Sequence, residues 1–404
     1  MLFLFQIAII LGFSHLIATV FRRFGQPRVA GEMAAGILLG PTVFGWFAPS
    51  AYRWLFSSES LGSLNALSQT GLVIFVFLIG VRVDLGELRR QGKLVAAASS
   101  GSIVAPLLMG VALAQYLFPS YGSGDRTVFA LFLGTAMSVT AFPVLARILT
   151  ERNLLSTWIG SVAIACAAID DVTAWIFLAA IMALTAHGVR PFWLTLTYTG
   201  VHLSVLVILG FVAGHWPKRS KHQPTPVNAT LGFLMLAFAS AAASEWIGIH
   251  SAVRAFVAGL VTPRRWRQPL IEQLEGPTLL LLLPLFFGLT GTRTNLNFQA
   301  GAKAYFDLIL ILLVAVLSKW GGTMFAARAK GMHWREACQL GVMMNARGLV
   351  ELIVLNVGLD SGVLSPALFS MMVCMAVVTT IMTTPLMDWL SAVKMKSQPQ
   401  SVGA

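Results

Sequence analysis

Long apolar runs recur along the whole 404-residue chain, and no other feature limits its fold so strongly. Thirteen candidate stretches stand out: 1–21, 29–47, 64–82, 94–118, 127–150, 155–183, 193–216, 227–247, 250–263, 275–292, 303–328, 337–357 and 363–390. In hydrocarbon every peptide N–H and C=O needs a partner inside the protein, and a run of about 20 apolar residues meets that need as a spanning α-helix. The ninth stretch is short for a full crossing. Composition points the same way: only 11% of residues are charged, against about a quarter in a soluble domain. The expected fold is therefore all-α and polytopic, with about thirteen transmembrane helices. Residues 1–21 lack a basic start and a small-residue cleavage site, so they read as a retained first span. Residues 391–404 read as a short cytoplasmic tail.

The net charge of +12 raises the question of a nucleic-acid partner. Its distribution answers against one, because the basic residues sit in small groups between apolar runs. Cytoplasmic loops of membrane proteins collect Lys and Arg. With the N-terminus outside and the C-terminus cytoplasmic, 20 of the 28 basic residues fall on the cytoplasmic side, five fall outside, and Arg254, Lys319 and Arg347 lie within spans. Cys166, Cys338 and Cys374 all lie in apolar runs and read as small packing residues.

A weak internal echo adds detail. "FLIGVRVDL" (77–85) and "GLTGTRTNL" (288–296) share G-x-R-x-[DN]-L, and "AAGILLGP" (34–41) resembles "FVAGLVTP" (256–263). Both pairs are offset by seven spans. An odd offset gives the two copies opposite orientation, the pattern of inverted six-span repeats in secondary transporters. Residues 193–216 would then be a linker helix between the halves.

The interior polar groups are the candidate machinery. In "SVTAFPVLAR" (138–147), Pro143 removes a backbone donor and disfavours helix at Phe142, which frees carbonyls near Val139 and Thr140. "MMNARGLVEL" (343–352), seven spans later, sets Asn345, Arg347 and Gly348 in mid-span. Both read as broken helices whose free ends face an ion; a proline kink and a packing glycine are the alternatives. "AAIDDVTAWI" (167–176) places Asp170 and Asp171 side by side in the sixth span. Neighbours on a helix point about 100° apart, which suggests one carboxylate in a water-accessible path and one facing a fixed cation. Carboxylates at that depth usually mark an ion or proton path. Lys319 is the candidate cation, its alternative being a lysine that snorkels to the interface. Arg347 and Glu351, four apart, read as a structural ion pair, as do Arg28 and Glu32. Arg254 has no local acid partner in the sequence.

Taken together, "GEMAAGILLGPTVFG", "SVTAFPVLARIL", "AIDDVTAW", "LFFGLTGTRTNL" and "NARGLVELIVLN" resemble the monovalent cation:proton antiporters. The branch is that of the plant cation/H⁺ exchangers and the bacterial Na⁺/H⁺ and K⁺/H⁺ antiporters. The resemblance runs from about Gly31 to Thr380. It implies a Na⁺/H⁺ antiporter-like fold and a homodimer, with a dimerisation part at 1–92 and 227–300 and an ion-transport core at 94–183 and 303–390. It also implies that Asp171 holds the cation or the proton, that Asp170 pairs with Lys319, and that Thr140 and Ser138 lie along the ion path. The implied function is exchange of Na⁺ or K⁺ for protons, serving pH homeostasis, with no cofactor beyond the transported ions. The implied location is a bacterial inner membrane, in contact with lipid. Many relatives carry glycine where this chain has Arg254, and several carry long regulatory regions.

Two other transport readings are a cation channel and a sodium-coupled organic-solute symporter. An intramembrane aspartyl protease would draw its acids from two different spans. Here they adjoin on one, so no enzymatic role is expected.

Overall fold

The computed structural model describes residues 2–82, 91–184, 226–247, 251–292 and 301–396, with single positions between 197 and 208. The helices are α1 (Leu2–Arg23), α2 (Arg28–Leu39), α3 (Phe44–Phe47), α4 (Pro49–Leu55), α5 (Ser58–Arg82), α6 (Gly92–Tyr121), α7 (Arg126–Ser138), α8 (Phe142–Glu151) and α9 (Trp158–Leu184). They continue as α10 (Pro226–Ile247), α11 (Ser251–Leu260), α12 (Arg264–Pro277), α13 (Leu283–Thr292), α14 (Ala302–Ala329), α15 (Trp334–Met344), α16 (Leu349–Asp360) and α17 (Pro366–Lys396). Among the described residues there is no strand, only an isolated bridge between Gly122 and Leu364. Among the described residues, nine helical runs are long and apolar enough to cross a membrane.

The nine match nine of the thirteen expected spans. The seventh, 193–216, lies outside the continuously described residues. Within the eighth, α10, the described residues Val227–Ala242 form an apolar helix. The ninth is the ten-residue α11, and the twelfth is divided into α15 and α16. Two boundaries moved. The tenth span begins at Arg264 rather than 275, because a π-helical turn at Thr278–Leu282 carries the helix past Pro277 into α13. The last helix runs to Lys396, into the stretch expected as tail.

Packing divides the chain into two compact units. One comprises Met1–Ala18, Gly31–Arg90 and Asp171–Asn295; the other comprises Thr19–Ala30, Gln91–Asp170 and Leu296–Ala404. In the first unit, Val73, Phe77 and Val81 of α5 bury against Ala237 and Ala241 of α10, Ala255 and Ala258 of α11, and Leu270 of α12. Small residues let backbones approach where lipid supplies no hydrophobic drive between helices. Gly80 and Gly259 show this: a Cβ on Gly80 would collide with the carbonyl of Phe256, and one on Gly259 with that of Phe77.

The second unit repeats the device at another pair. A Cβ on Gly101 of α6 would strike the carbonyl oxygen of Gly322 in α14, and a Cβ on Gly322 would strike that of Gly101. Here α6 and α14 are the fourth and eleventh spans, seven apart. The broken helices α7–α8 and α15–α16 are the fifth and twelfth, again seven apart. They too meet each other: the Ala141 N–H donates to the Ala346 carbonyl at 3.0 Å. Both pairs share the seven-span offset of the sequence echo, which itself lies in the second, third, ninth and tenth spans.

Candidate ion site

The first break spans Val139–Ala141. Helix α7 starts on Asp125, whose carboxylate accepts from the backbone N–H of Thr127 and Val128. It stops at Ser138, and α8 restarts with Pro143 in its first turn. That placement suits proline, whose missing N–H is one of the helix's unpaired donors anyway. A stopped helix leaves its last carbonyls open and its negative end exposed. Two buried cations take them up. Arg347 donates through Nη2 to the Met137 carbonyl at 2.6 Å and through Nη1 to that of Ala136 at 3.4 Å. Lys319 Nζ donates to the Ser138 carbonyl.

The second break spans Asn345–Gly348. Gly348 has φ +148°, ψ −120°, a region that side chains rarely enter, so glycine here allows the chain to turn before α16. Thr380 of α17 bridges the gap, accepting from Arg347 N at 3.1 Å and placing its hydroxyl against the Arg347 carbonyl. Arg347 Nη1 also meets Glu351 Oε1 at 3.2 Å, with both side chains fully buried. The i,i+4 pair expected from sequence forms, and the same guanidinium caps α7.

Asp170 sits in the second unit with Lys319 Nζ 3.0 Å from its Oδ2, both side chains at 0% exposure. Three hydroxyls complete its shell. Ser99 donates to Oδ1 at 2.8 Å, while Ser102 and Thr140 donate to Oδ2 at 2.6 and 2.8 Å. Lys319 places its three N–H groups on Asp170, the Ser138 carbonyl and the Ser102 carbonyl, the last at 3.0 Å. A desolvated charge pair holds only when its remaining donors and acceptors are matched, and here they are. Lys319 does not snorkel.

Asp171, the next residue of α9, is buried at 2% exposure and opens the other packing unit's share of that helix. Ser138 is buried and turns its hydroxyl back to the Thr135 carbonyl at 2.8 Å, so its carbonyl rather than its side chain meets Lys319. Ser99, Ser102 and Thr380 were not singled out from sequence. The two serines lie three apart on one face of a mostly apolar helix, which is the signal that could have found them. Asp307, in the second turn of α14, is fully buried and accepts from the hydroxyls of Tyr116 at 3.0 Å and Tyr121 at 2.7 Å. The Arg254 side chain lies outside the described residues. Among the described residues there is no cluster of three or more His, Cys, Asp or Glu side chains suited to a bound metal.

The family model described as sodium/hydrogen exchanger, transmembrane, matches residues 9–389. The chain is similar to the Na⁺/H⁺ antiporter NhaS4 of Synechocystis, at 36% identity over 96% of each chain. It is also similar to cation/H⁺ antiporter 17 of Arabidopsis thaliana, at 37% identity over 95% of this chain. The chain spans about half the length of that plant relative, 48%. K⁺/H⁺ antiporter 1 of Saccharomyces cerevisiae is 34% identical over 95% of this chain and 46% of its own. In structure it resembles the sodium proton antiporter MjNhaP1 of Methanocaldococcus jannaschii, with TM-score 0.69, 13% identity and 98% and 99% coverage of the two chains. That likeness establishes a common fold.

Proposed function

Because the chain belongs to the sodium/hydrogen exchanger family, we propose that it is a secondary antiporter exchanging Na⁺ or K⁺ for protons across a membrane. One observation carries the assignment of roles: Asp170 is already neutralised by Lys319 and saturated by Ser99, Ser102 and Thr140. A carboxylate so committed is a poor exchangeable site. The adjoining buried acid, Asp171, then takes the transported ion. A carboxylate withdrawn from bulk water needs a neutralising partner, and a proton or a partly dehydrated monovalent cation serves equally, but not both together. Competition for one carboxylate couples the two fluxes, with alternating access delivering each to its side. Thr140 and the Ser138 carbonyl hold the geometry around Asp170 and Lys319 beside that path.

The same reading makes the chain a homodimer joined through residues 1–92 and 227–300, with transport in 94–183 and 303–390. The N-terminus lies outside and the C-terminus in the cytoplasm of a bacterial inner membrane. The names of relatives include both Na⁺ and K⁺, which supports a monovalent cation without choosing between them.

The deciding experiment is proton-driven cation uptake in proteoliposomes, scanned over Na⁺, K⁺ and Li⁺ with the voltage clamped. Wild-type protein should drive uptake against the cation gradient, and Asp171→Asn should abolish it while retaining the fold. Exchange by Asp171→Asn at wild-type rates would remove Asp171 from the role. Downhill flux with no coupling would identify a channel.

A further inference from the structure

A second polar site, separate from the aspartate pair, lies at the far end of α8. A cavity of about 520 Å³ is lined by Arg22, Gln26, Arg28, Glu151, Arg152 and Asp388, within the usual range for a small-ligand pocket. It lies about 14 Å along the helix axis from the first break, nine residues at about 1.5 Å each. All of its lining belongs to the second packing unit.

Both carboxylates in the cavity are already committed. Glu151 Oε1 accepts from Arg147 Nε at 2.7 Å, and its Oε2 accepts from the Arg28 backbone N–H at 2.7 Å. Asp388 is held by a two-point contact from Arg152, at 2.6 and 3.1 Å, and Arg152 also donates to the Gly25 carbonyl at 2.9 Å. Against these two acids the lining carries three arginines, Arg22, Arg28 and Arg152. The excess charge is therefore positive. Two polar atoms in the lining are shut from solvent and have no hydrogen-bond partner, Arg28 Nε and Gln26 Oε1. A buried donor without a partner is costly to leave unmade, and the Gln26 amide can turn its NH₂ inward. Beside the cavity Phe24 is 77% exposed, an aromatic ring where a polar site borders apolar surface.

We infer that this cavity binds a phosphate-bearing anion, held by the guanidinium groups of Arg22 and Arg28 with help from the Gln26 amide. Guanidinium forks match phosphate oxygens in shape and charge. The anion is either the headgroup of an acidic phospholipid, whose acyl chains would lie along Phe24, or a free phosphate group. Occupancy would set a negative charge beside Arg152, in competition with Asp388. It requires nothing of the transport cycle and can be measured without it.

The test uses the purified full chain in neutral detergent, titrated with dioctanoyl phosphatidylglycerol, with dioctanoylglycerol and with inorganic phosphate, reading heat of binding and unfolding temperature. Phosphatidylglycerol should bind and raise the unfolding temperature, whereas dioctanoylglycerol should not. Arg22→Gln and Arg28→Gln should each weaken binding about tenfold, the size of one lost charge-assisted hydrogen bond. Arg126→Gln, at the opposite end of α7–α8, should bind as wild type. Displacement of the lipid by inorganic phosphate identifies the free anion as sufficient; failure to displace it identifies the lipid. Arg22 is exposed, so its variant keeps the fold. Wild-type affinity in Arg22→Gln and Arg28→Gln, or equal binding of both lipids, overturns the inference.

Discussion

Ala141 donates its backbone N–H to the carbonyl of Ala346 at 3.0 Å, so the two helix breaks are tied directly to each other. Each break exposes main-chain groups that lipid could not satisfy. Joined in this way, one break supplies part of what the other lacks. The cations Arg347 and Lys319 take up the carbonyls of Ala136, Met137 and Ser138.

Lys319 should be essential to stability as well as to the site. Lys319→Ala leaves Asp170 buried without its cation, a change that costs about 3–5 kcal/mol in comparable pairs. Thermal unfolding in detergent should fall steeply for Lys319→Ala. The double variant Asp170→Asn with Lys319→Gln should recover much of the loss, since no lone charge remains. Equal stabilities for the single and double variants would show that the pair is not what holds these helices.

Arg347 should resist conservative replacement. Arg347→Lys keeps the charge but cannot reach Glu351, Ala136 and Met137 together, because an ammonium has no planar fork. Arg347→Lys should therefore unfold at a lower temperature than wild type. Loss of Glu351 alone should be worse than joint replacement of both by apolar residues. Unfolding scans of the four proteins check this directly.

The glycine crossing offers a sharper contrast within one tripeptide. In Gly322→Ala the new Cβ meets the Gly101 backbone, whereas in Gly321→Ala the nearest contact is Phe325 Cε2 at 3.9 Å. Gly322→Ala should destabilise by about 1–3 kcal/mol and slow exchange, since it forces α14 away from α6 and carries Lys319 from Ser102. Gly321→Ala should leave both properties near wild type. Paired unfolding and flux measurements separate the two.

Acid should erase one particular contribution. Asp125 is held below the ordinary aspartate range by the N–H groups of Val128 and Thr127. A group with a depressed folded pKa stabilises above its unfolded value, near 3.9, and loses that contribution as pH falls through the folded value. Asp125→Ala should thus be less stable than wild type at neutral pH. The gap should close in solutions more acidic than the ordinary aspartate range. A difference that is constant with pH would rule out the capping role.

Much of the site could be read before any coordinates. Asp170, Asp171, Lys319, Arg347 and Glu351 stand out because an ionisable residue in an apolar run is costly and seldom accidental. The i,i+4 spacing of Arg347 and Glu351 needed only helical geometry. Ser99, Ser102 and Thr380 were harder to see, because a hydroxyl in a membrane helix can hydrogen-bond its own preceding turn and needs no distant partner. Asp307 was hidden for a related reason: its partners, Tyr116 and Tyr121, lie nearly two hundred residues away.

The amino-acid order by itself determined that the chain is helical and membrane-spanning, where the fifth and twelfth spans break, and that Asp170, Asp171, Lys319, Arg347 and Glu351 are carried inside, since all of these follow from local composition and spacing. Only the tertiary structure decided which hydroxyls and carbonyls complete the shells of Asp170 and Lys319. It also turned the carbonyls of Ala136, Met137 and Ser138 towards protein cations, although the broken-helix pattern alone suggested they face an ion. Such choices depend on how closely α6 and α14 approach at Gly101 and Gly322, and on the meeting of two breaks some two hundred residues apart. Contacts of that kind are fixed by packing in three dimensions, which no local pattern encodes.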